Sequence, residues 1–282
     1  MVVNAGASEG LRAVRETLDL VMAHHRAHEA RAIGVSVPGW VNADTGRVLE
    51  AANLPCWREY ALAKKLRTLY DLPTRIANDA DAATMAEAKW GAGRRFQNFL
   101  YVSMGTGIGT GIAQKKDGVW RINPSEGGHM TINYRGPLCP CGKRGCIEMY
   151  ASGKAITRSA KHLLATRGAG SSLLKKLSRD NVGGVTAQFV SRAAAAGNGM
   201  AIGIIEGACD CLAVWLGNII DLVEPEAIVI GGGLGPLIIS FKSRIRRALK
   251  TGMHGSRRRE ISIVRAQFGS QSALLGAAAL WL

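Results

Sequence analysis

The sequence lacks a secretory signal, and this absence narrows where the protein is expected to work. Residues 1–10 have neither a basic start nor an apolar run, so we expect a cytoplasmic protein. Disulfides are rare in that compartment, and the six cysteines are not expected to form a disulfide framework. No apolar run is expected to be long enough to span a bilayer, which excludes a membrane partner. Charged residues make up 20% and apolar residues 47%, a composition that excludes a disordered chain.

Acidic residues are also scarce, with 21 Asp and Glu against 36 Lys and Arg. The resulting net charge of +15 would suit nucleic acid or another polyanion. Much of the excess lies in residues 242–259, which hold Lys242, Arg244, Arg246, Arg247, Lys250, Arg257, Arg258 and Arg259. A solvated helix face explains most runs of this kind. No helix-turn-helix pattern precedes the domain, so nucleic acid is not an expected partner.

Strand and helix patterns alternate along the chain, and this alternation predicts an α/β architecture. Residues 32–37, 74–77, 98–103 and 226–230 read as strands, whereas 8–28, 80–90 and 199–223 read as helices. We place a boundary near Arg95. A small lobe would comprise residues 1–95, joined by a C-terminal helix at 271–282, and a large lobe would comprise residues 96–270.

A compact set of metal ligands stands near the middle of the chain. It consists of His129, Cys139, Cys141 and Cys146. Three thiolates and an imidazole complete a tetrahedral zinc site with no open position, which is typical of a structural ion. A disulfide with one buried thiol is the alternative, and the expected reducing compartment favours the metal.

The residues around these ligands carry a family resemblance. The pattern Glu-x-Gly-His from Glu126, followed by Cys-x-Cys-Gly-x-x-Gly-Cys-x-Glu ending at Glu148, resembles the signature of the ROK family (repressor, open reading frame, kinase). That resemblance implies a two-lobed actin-like ATPase (ribonuclease H-like) fold with a zinc-binding loop. It also implies ATP and a sugar in the cleft between the lobes, and an even-numbered homo-oligomer, either a dimer or a tetramer.

The dipeptide Asn78-Asp79 follows a strand and precedes a helix, where open α/β sheets bind ligands. From the residues alone, an N-cap at Asp79 is the favoured interpretation, although one residue could serve both roles. The resemblance implies instead that Asp79 is the general base that takes a proton from a sugar hydroxyl. It further implies a sugar site formed by Gly39, Asn53, Asn78, Asp79, Glu126, His129 and Glu148.

Two glycine-rich segments would serve the nucleotide. Gly105, Thr106, Gly107 and Gly109 lie between two strands, where exposed backbone N–H groups could cradle phosphate, although a plain glycine-rich hairpin would look the same. Gly231, Gly232 and Gly233 follow a buried strand. The resemblance implies that the first segment contacts ATP phosphates and the second contacts adenosine, with Mg²⁺ as the accompanying ion. The spacing does not fit the G-x-G-x-x-G pattern of dinucleotide-binding proteins.

One family element is missing, because no Asp-x-Gly-Gly-Thr phosphate motif occurs in the chain. We therefore expect a truncated N-terminal lobe that retains strands 32–37 and 74–77, with an unpaired edge and an uncovered apolar face. The expected function is ATP-dependent phosphorylation of a hexose, either glucose or an N-acetylhexosamine. The alternatives are a non-catalytic sugar-binding relative acting as a sensor or partner subunit, and a glycosidase that uses Asp79, Glu126 and Glu148.

Overall fold

The structure is a computed structural model that describes residues 6–24, 29–51, 55–166, 182–252 and 261–282. The chain divides into two compact units. The first is formed by Met1–Lys89 together with Gln271–Leu282, and the second by Trp90–Ser270. The division falls after Lys89, whereas the sequence places the lobe boundary near residue 95.

The first unit combines a parallel strand pair with a hairpin and helices. Its strands are β1 (Ile33–Val37), β2 (Trp40–Asn42), β3 (Arg47–Glu50) and β4 (Thr74–Asn78). Its helices are Ala7–Met22, Leu62–Tyr70, Asp79–Lys89 and Ser272–Ala279. β1 and β4 pair in parallel, with Ile33 opposite Thr74, and β2 and β3 pair antiparallel. Within the described residues, β1 and β4 form a sheet of two strands.

Helices cover both faces of this small sheet, so the expectation of an uncovered apolar face is wrong. On one face, a Cβ added to Gly34 would lie 2.0 Å from the carbonyl oxygen of Ala277, which shows how closely the C-terminal helix packs on β1. On the other face, partly buried Leu11 and Leu18 of the first helix pack against a cluster that includes buried Ile76. An amphipathic helix stabilises a sheet in this way because each buries the apolar surface of the other.

The second unit contains a five-stranded mixed sheet. Its strands are β5 (Asn98–Met104), β6 (Ile108–Lys116), β7 (Val119–Ser125), β8 (Ala227–Gly231) and β9 (Ser262–Arg265). Its helices are Glu148–Ala151, Gly153–Thr166, Ala187–Ala195, Gly199–Val223, Gly235–Ser240 and Lys242–Gly252.

The strand order is β7-β6-β5-β8-β9, antiparallel from β7 to β5 and parallel from β5 to β9. Every residue of β8 is buried, because a parallel strand between two neighbours is covered on both faces and reads as a continuous apolar run. Asp117 and Gly118 form the hairpin turn between β6 and β7, with positive φ angles of 52° and 79°.

The predicted helix at 199–223 is confirmed, with the bounds Gly199–Val223. Its length and its mean hydropathy of 1.6 would suffice to cross a membrane, so the expectation that no apolar run is long enough is wrong for this segment. Half of the most apolar stretch of this helix is buried inside the protein. Trp215 and Cys209 lie fully buried on its inner face, whereas Cys211 is only partly buried. A core helix satisfies the same length and hydropathy criteria as a membrane-spanning helix.

The basic run is partly structural. The guanidinium of Arg244 donates two hydrogen bonds of 2.7 Å each to the carboxylate of Asp210 and lies 3.1 Å from Glu206. These bonds from Arg244 hold the pKa of Asp210 below its usual range. The expectation of a merely solvated face is therefore wrong at Arg244, which joins helix Lys242–Gly252 to the long helix. Arg257, Arg258 and Arg259 lie outside the described residues.

Candidate functional site

The four expected metal ligands come together in the second unit. The donor atoms of His129, Cys139, Cys141 and Cys146 all lie within 4.8 Å of one another. The Cys139 Sγ to His129 Nδ1 distance is 3.5 Å, and the Cys141 Sγ to Cys146 Sγ distance is 3.7 Å. Tetrahedral zinc with Zn–S of about 2.3 Å and Zn–N of about 2.0 Å requires about 3.5 Å between sulfur and nitrogen and about 3.8 Å between two sulfurs. The donor set and these two distances therefore fit zinc.

No disulfide joins these three cysteines, and the 3.7 Å between the Cys141 and Cys146 sulfurs is too long for one, which favours the metal over the disulfide alternative. Burial raises the pKa of Cys139, and burial together with the neighbouring thiols raises the pKa of Cys146 to about 12. Burial also acts on Cys141, but hydrogen bonds from the Lys143 backbone and from the other two thiols outweigh it and lower its pKa. A bound cation reverses this preference for the protonated form, because metals bind thiolates.

The ligand loop is closed by its own backbone. Cys139 N–H donates to Lys143 O at 2.7 Å, and Gly142 N–H donates back to Cys139 O at 2.9 Å. Cys146 Sγ lies 3.4 Å from His129 O, which ties the loop to the segment that carries the histidine. Since Nδ1 of His129 faces the sulfurs, its Nε2 is the ring nitrogen left for another contact.

The Glu-Gly-Gly-His segment is seated on strand β6. Thr110 Oγ1, buried in the sheet, accepts a hydrogen bond of 2.9 Å from Gly127 N–H. The indole N–H of Trp215 donates to Gly127 O at 3.0 Å. A Cβ at Gly128 would lie 1.9 Å from Ile108 O, so only glycine fits against this strand. These contacts fix the backbone between Glu126 and His129.

Glu148 links the end of the ligand loop to the first glycine-rich turn. Its Oε2 accepts a hydrogen bond of 2.8 Å from Ile108 N–H. A Cβ added at Gly107 would lie 2.3 Å from the same oxygen. A backbone donor stabilises the ionised carboxylate. Therefore one carboxylate oxygen is bound to the turn, and the Glu148 side chain is held against it.

The two glycine-rich segments also meet within this unit. Gly232 has φ of +76°, and a Cβ there would lie 2.4 Å from Met104 O, so a side chain is excluded both by conformation and by space. Leu234 N–H donates to the same Met104 carbonyl at 2.8 Å. The turn itself is closed by Gly105 N–H donating to Gly107 O at 3.0 Å, which is why β6 begins at Ile108.

In the first unit, Asn78 is the residue that caps the helix Asp79–Lys89. Its Oδ1 accepts from Ala80 N–H at 2.8 Å and from Asp81 N–H at 3.3 Å, while its Nδ2 donates to Gly39 O at 2.8 Å. The N-cap of this helix is therefore Asn78, one residue before the Asp79 cap that the sequence suggested. The amide of Asn78 also fixes Gly39, whose φ of +96° only glycine adopts readily.

Asp79 starts the helix, and its Oδ1 accepts from Ala80 N–H at 2.9 Å. Desolvation by the surrounding protein raises its pKa, against the opposing effect of hydrogen bonds from the Ala80 and Asp79 backbones. Protein atoms crowd the carboxyl group, although the residue as a whole remains exposed to solvent.

The structure thus gathers the expected site residues into two groups. One group lies in the second unit and contains Glu126, His129, Glu148, the metal ligands and both glycine-rich segments. The other lies in the first unit and contains Gly39, Asn78 and Asp79. Asn53 lies outside the described residues. Sequence reasoning missed Thr110 and Trp215, whose types and positions are those of ordinary core residues and gave no signal.

Comparisons with known proteins agree with this geometry. Residues 8–282 match the ROK family. The chain belongs to the ROK family. It is 32% identical over 260 residues to a glucokinase of Streptomyces coelicolor, covering 90% of this chain and 80% of that enzyme. The fold matches the crystal structure of a ROK family glucokinase from Streptomyces griseus in complex with glucose and AMPPNP, with a TM-score of 0.86 and 29% identity, over 99% of this chain and 89% of that one.

Not every similar ROK protein is named as an enzyme. The chain is 31% identical over 230 residues to a putative xylose repressor of a Caldicellulosiruptor species, covering 79% of this chain and 56% of that protein. The ROK resemblance and the actin-like ATPase fold expected from the sequence are both confirmed.

Proposed function

We propose that this ROK protein is a sugar kinase that transfers the γ-phosphate of ATP to a hexose, with glucose or an N-acetylhexosamine as substrate. Similarity to proteins named glucokinase, one of them solved with glucose and AMPPNP, supports the reaction class. The observation that carries the proposal is the bond from Ile108 N–H to Glu148 Oε2. It places an acidic side chain suited to sugar hydroxyls directly on a glycine turn suited to phosphate.

In this proposal the loop residues recognise the sugar. Glu126 and Glu148 accept hydrogen bonds from hydroxyl groups, and Nε2 of His129 provides a further polar contact. Asn53, Asn78 and Gly39 complete the sugar contacts. Zinc, held by His129 and the three thiolates, keeps the acid-bearing segment rigid, which is the role of a closed structural site.

The glycine-rich segments serve the donor. Backbone N–H groups of the turn at Gly105, Thr106, Gly107 and Gly109 contact the phosphates, and Gly231, Gly232 and Gly233 leave room for the adenosine. Mg²⁺ accompanies ATP and neutralises charge on the transferred phosphate. Phosphoryl transfer depends mainly on positioning and electrostatics, which rigid backbone turns supply.

Asp79 is the general base. Its carboxylate accepts the proton of the attacking hydroxyl as that oxygen bonds to the γ-phosphorus and the bond to the β-phosphate oxygen breaks. The raised pKa suits this role, since a base with a pKa nearer the working pH accepts a proton more readily.

Activity on a sugar panel tests the proposal. Purified protein is assayed with Mg²⁺-ATP and glucose, N-acetylglucosamine or N-acetylmannosamine, with ADP release coupled to an optical readout. We expect turnover with at least one sugar, lost in Asp79→Asn but with sugar affinity retained by calorimetry. Absence of ADP release with every hexose and hexosamine tested would refute the kinase.

The xylose repressor relatives favour one second candidate, a sugar-binding protein without catalysis. Calorimetry separates the two. Sugar binding without nucleotide binding supports the second candidate, whereas binding of both ligands supports the kinase. A homo-oligomer is a further part of the proposal, and light scattering would measure it.

A further inference from the structure

Lys154 lies beside the glycine turn and is not among the residues proposed to bind the sugar or ATP. Its backbone N–H donates to Thr106 O at 3.3 Å, and the neighbouring Gly153 N–H donates to Gly105 O at 2.8 Å. A Cβ at Gly153 would lie 2.8 Å from that same Gly105 oxygen. The first residues of the helix Gly153–Thr166 are therefore bound to the carbonyl side of the turn, and Lys154 is fixed next to Thr106.

No described residue pairs with the ammonium group of Lys154. The residue is exposed, and across the described ranges its side chain takes part in no ion pair or hydrogen bond. The carboxylate bound to the turn, Glu148, already accepts from Ile108 N–H. Arg158, one turn further along the helix, is different because its guanidinium donates to Met149 O.

A lysine next to the turn proposed to bind phosphate supplies a full positive charge on a flexible four-carbon stem, which backbone amides lack. The backbone N–H groups of Gly153 and Lys154 at the start of the helix are not available to phosphate, because they donate to Gly105 O and Thr106 O. Lysine commonly binds phosphate as a point charge.

We propose that Lys154 binds the nucleotide beyond its α-phosphate and sets the preference for a triphosphate donor. This inference rests on the proposed function, because it takes the turn at Gly105–Gly109 as the phosphate site. Contact with the outer phosphates makes the contribution of Lys154 grow with the number of phosphates on the nucleotide.

The test compares Lys154→Met with Lys161→Met by calorimetry against AMP, ADP and ATP. Lys161 lies seven residues after Lys154 on the same helix, which places it about 10.5 Å further along the helix axis and away from the glycine turn. Both variants remove one positive charge and keep the length of the side chain. We expect Lys154→Met to weaken ATP binding about tenfold to a hundredfold, as for a lost charge-assisted hydrogen bond, and to leave AMP binding unchanged. Lys161→Met should bind all three like the wild type, and Lys154→Arg should restore most of the ATP affinity.

Three results would overturn the inference, and they are distinguishable. If wild-type protein binds ATP, and Lys154→Met and Lys161→Met bind it equally well, Lys154 does not contact the phosphates. That result contradicts the inference but does not affect the proposed kinase function. Wild-type protein that binds no nucleotide ends both the inference and the proposed function. Loss of AMP affinity equal to that of ATP would also contradict a contact beyond the α-phosphate. Thermal unfolding of each variant checks that the fold is retained.

Discussion

Replacing Gly107 by alanine tests whether the glycine turn and the sugar-binding acid form one unit. The added Cβ would lie 2.3 Å from Glu148 Oε2, well inside van der Waals contact. Glu148 must then move by about 1 Å, which lengthens or breaks its 2.8 Å hydrogen bond from Ile108 N–H. This movement should weaken sugar binding, because Glu148 is a proposed sugar-binding residue and Gly107 is not.

The size of the effect follows from the bond at stake. A hydrogen bond to a charged group contributes roughly 1.5–3 kcal/mol, and each 1.36 kcal/mol is tenfold in an equilibrium or rate constant. We therefore expect Gly107→Ala to weaken sugar binding about tenfold to a hundredfold. Gly105→Ala is the matched control, because its Cβ would meet nothing within 4 Å and its φ is not positive. It should change sugar affinity less than about twofold.

Sugar affinity is measured by calorimetry without nucleotide, so that direct obstruction of phosphate by the new methyl group plays no part. A double-mutant cycle then combines Gly107→Ala with Glu148→Ala. If the alanine acts through the carboxylate, it should have little further effect once that carboxylate is absent. Unchanged sugar affinity in Gly107→Ala, or an equal loss in Gly105→Ala, would refute the reasoning.

Three further predictions concern the base, the metal and the packing of helices. Because the pKa of Asp79 is raised, its carboxylate forms only at a higher pH, so kcat/KM should fall with falling pH through a midpoint above the ordinary aspartate value. Asp79→Asn should abolish turnover yet leave the melting temperature at pH 7 unchanged or higher, since ionising a group whose folded pKa is raised costs stability. Cys146→Ser should lose bound zinc, measured by a metal assay on purified protein, whereas Cys211→Ser should retain about one ion per chain. Gly276→Ala should lower the melting temperature because its Cβ would lie 1.7 Å from a backbone oxygen, but Gly203→Ala, with open space around its Cβ, should stabilise its helix by about 0.5–1 kcal/mol.

Each of these predictions has a contrary result. A pH profile that is flat below neutrality, or an active Asp79→Asn protein, would remove the aspartate from catalysis. Equal zinc content in both cysteine variants would place the ion elsewhere. A Gly276→Ala protein as stable as the wild type would mean that the helix Ser272–Ala279 can shift on its neighbour at little cost.

Some features of the site were predictable because their signal is local. The cysteine spacing and His129 fixed the ligand set, since a tetrahedral ion needs four soft donors within a short, glycine-rich loop. Asn78-Asp79 was identified as a strand-to-helix junction from its neighbours alone. Assigning the cap to Asn78 and not to Asp79 needed the structure, because adjacent polar residues can each satisfy the same helix N–H groups.

Other features depended on residues far apart in sequence. The hydrogen bond between Ile108 and Glu148 joins positions 40 residues apart, and that from Trp215 to Gly127 spans 88 residues. The covering of β1 by the C-terminal helix likewise brings Gly34 against Ala277. No periodicity or motif reports such contacts, because the chain pattern describes each element by itself.

The amino-acid sequence by itself determined the family, the alternation of strands and helices, and the four candidate metal ligands. Each of these depends on residue type and short-range spacing. Only the tertiary structure decided that Glu148 rests on the glycine turn, that Gly232 lies against Met104, and that the backbone of Lys154 is bound to Thr106. The physical reason is that backbone hydrogen bonds and close packing between distant segments are set by the assembled sheet and its helices.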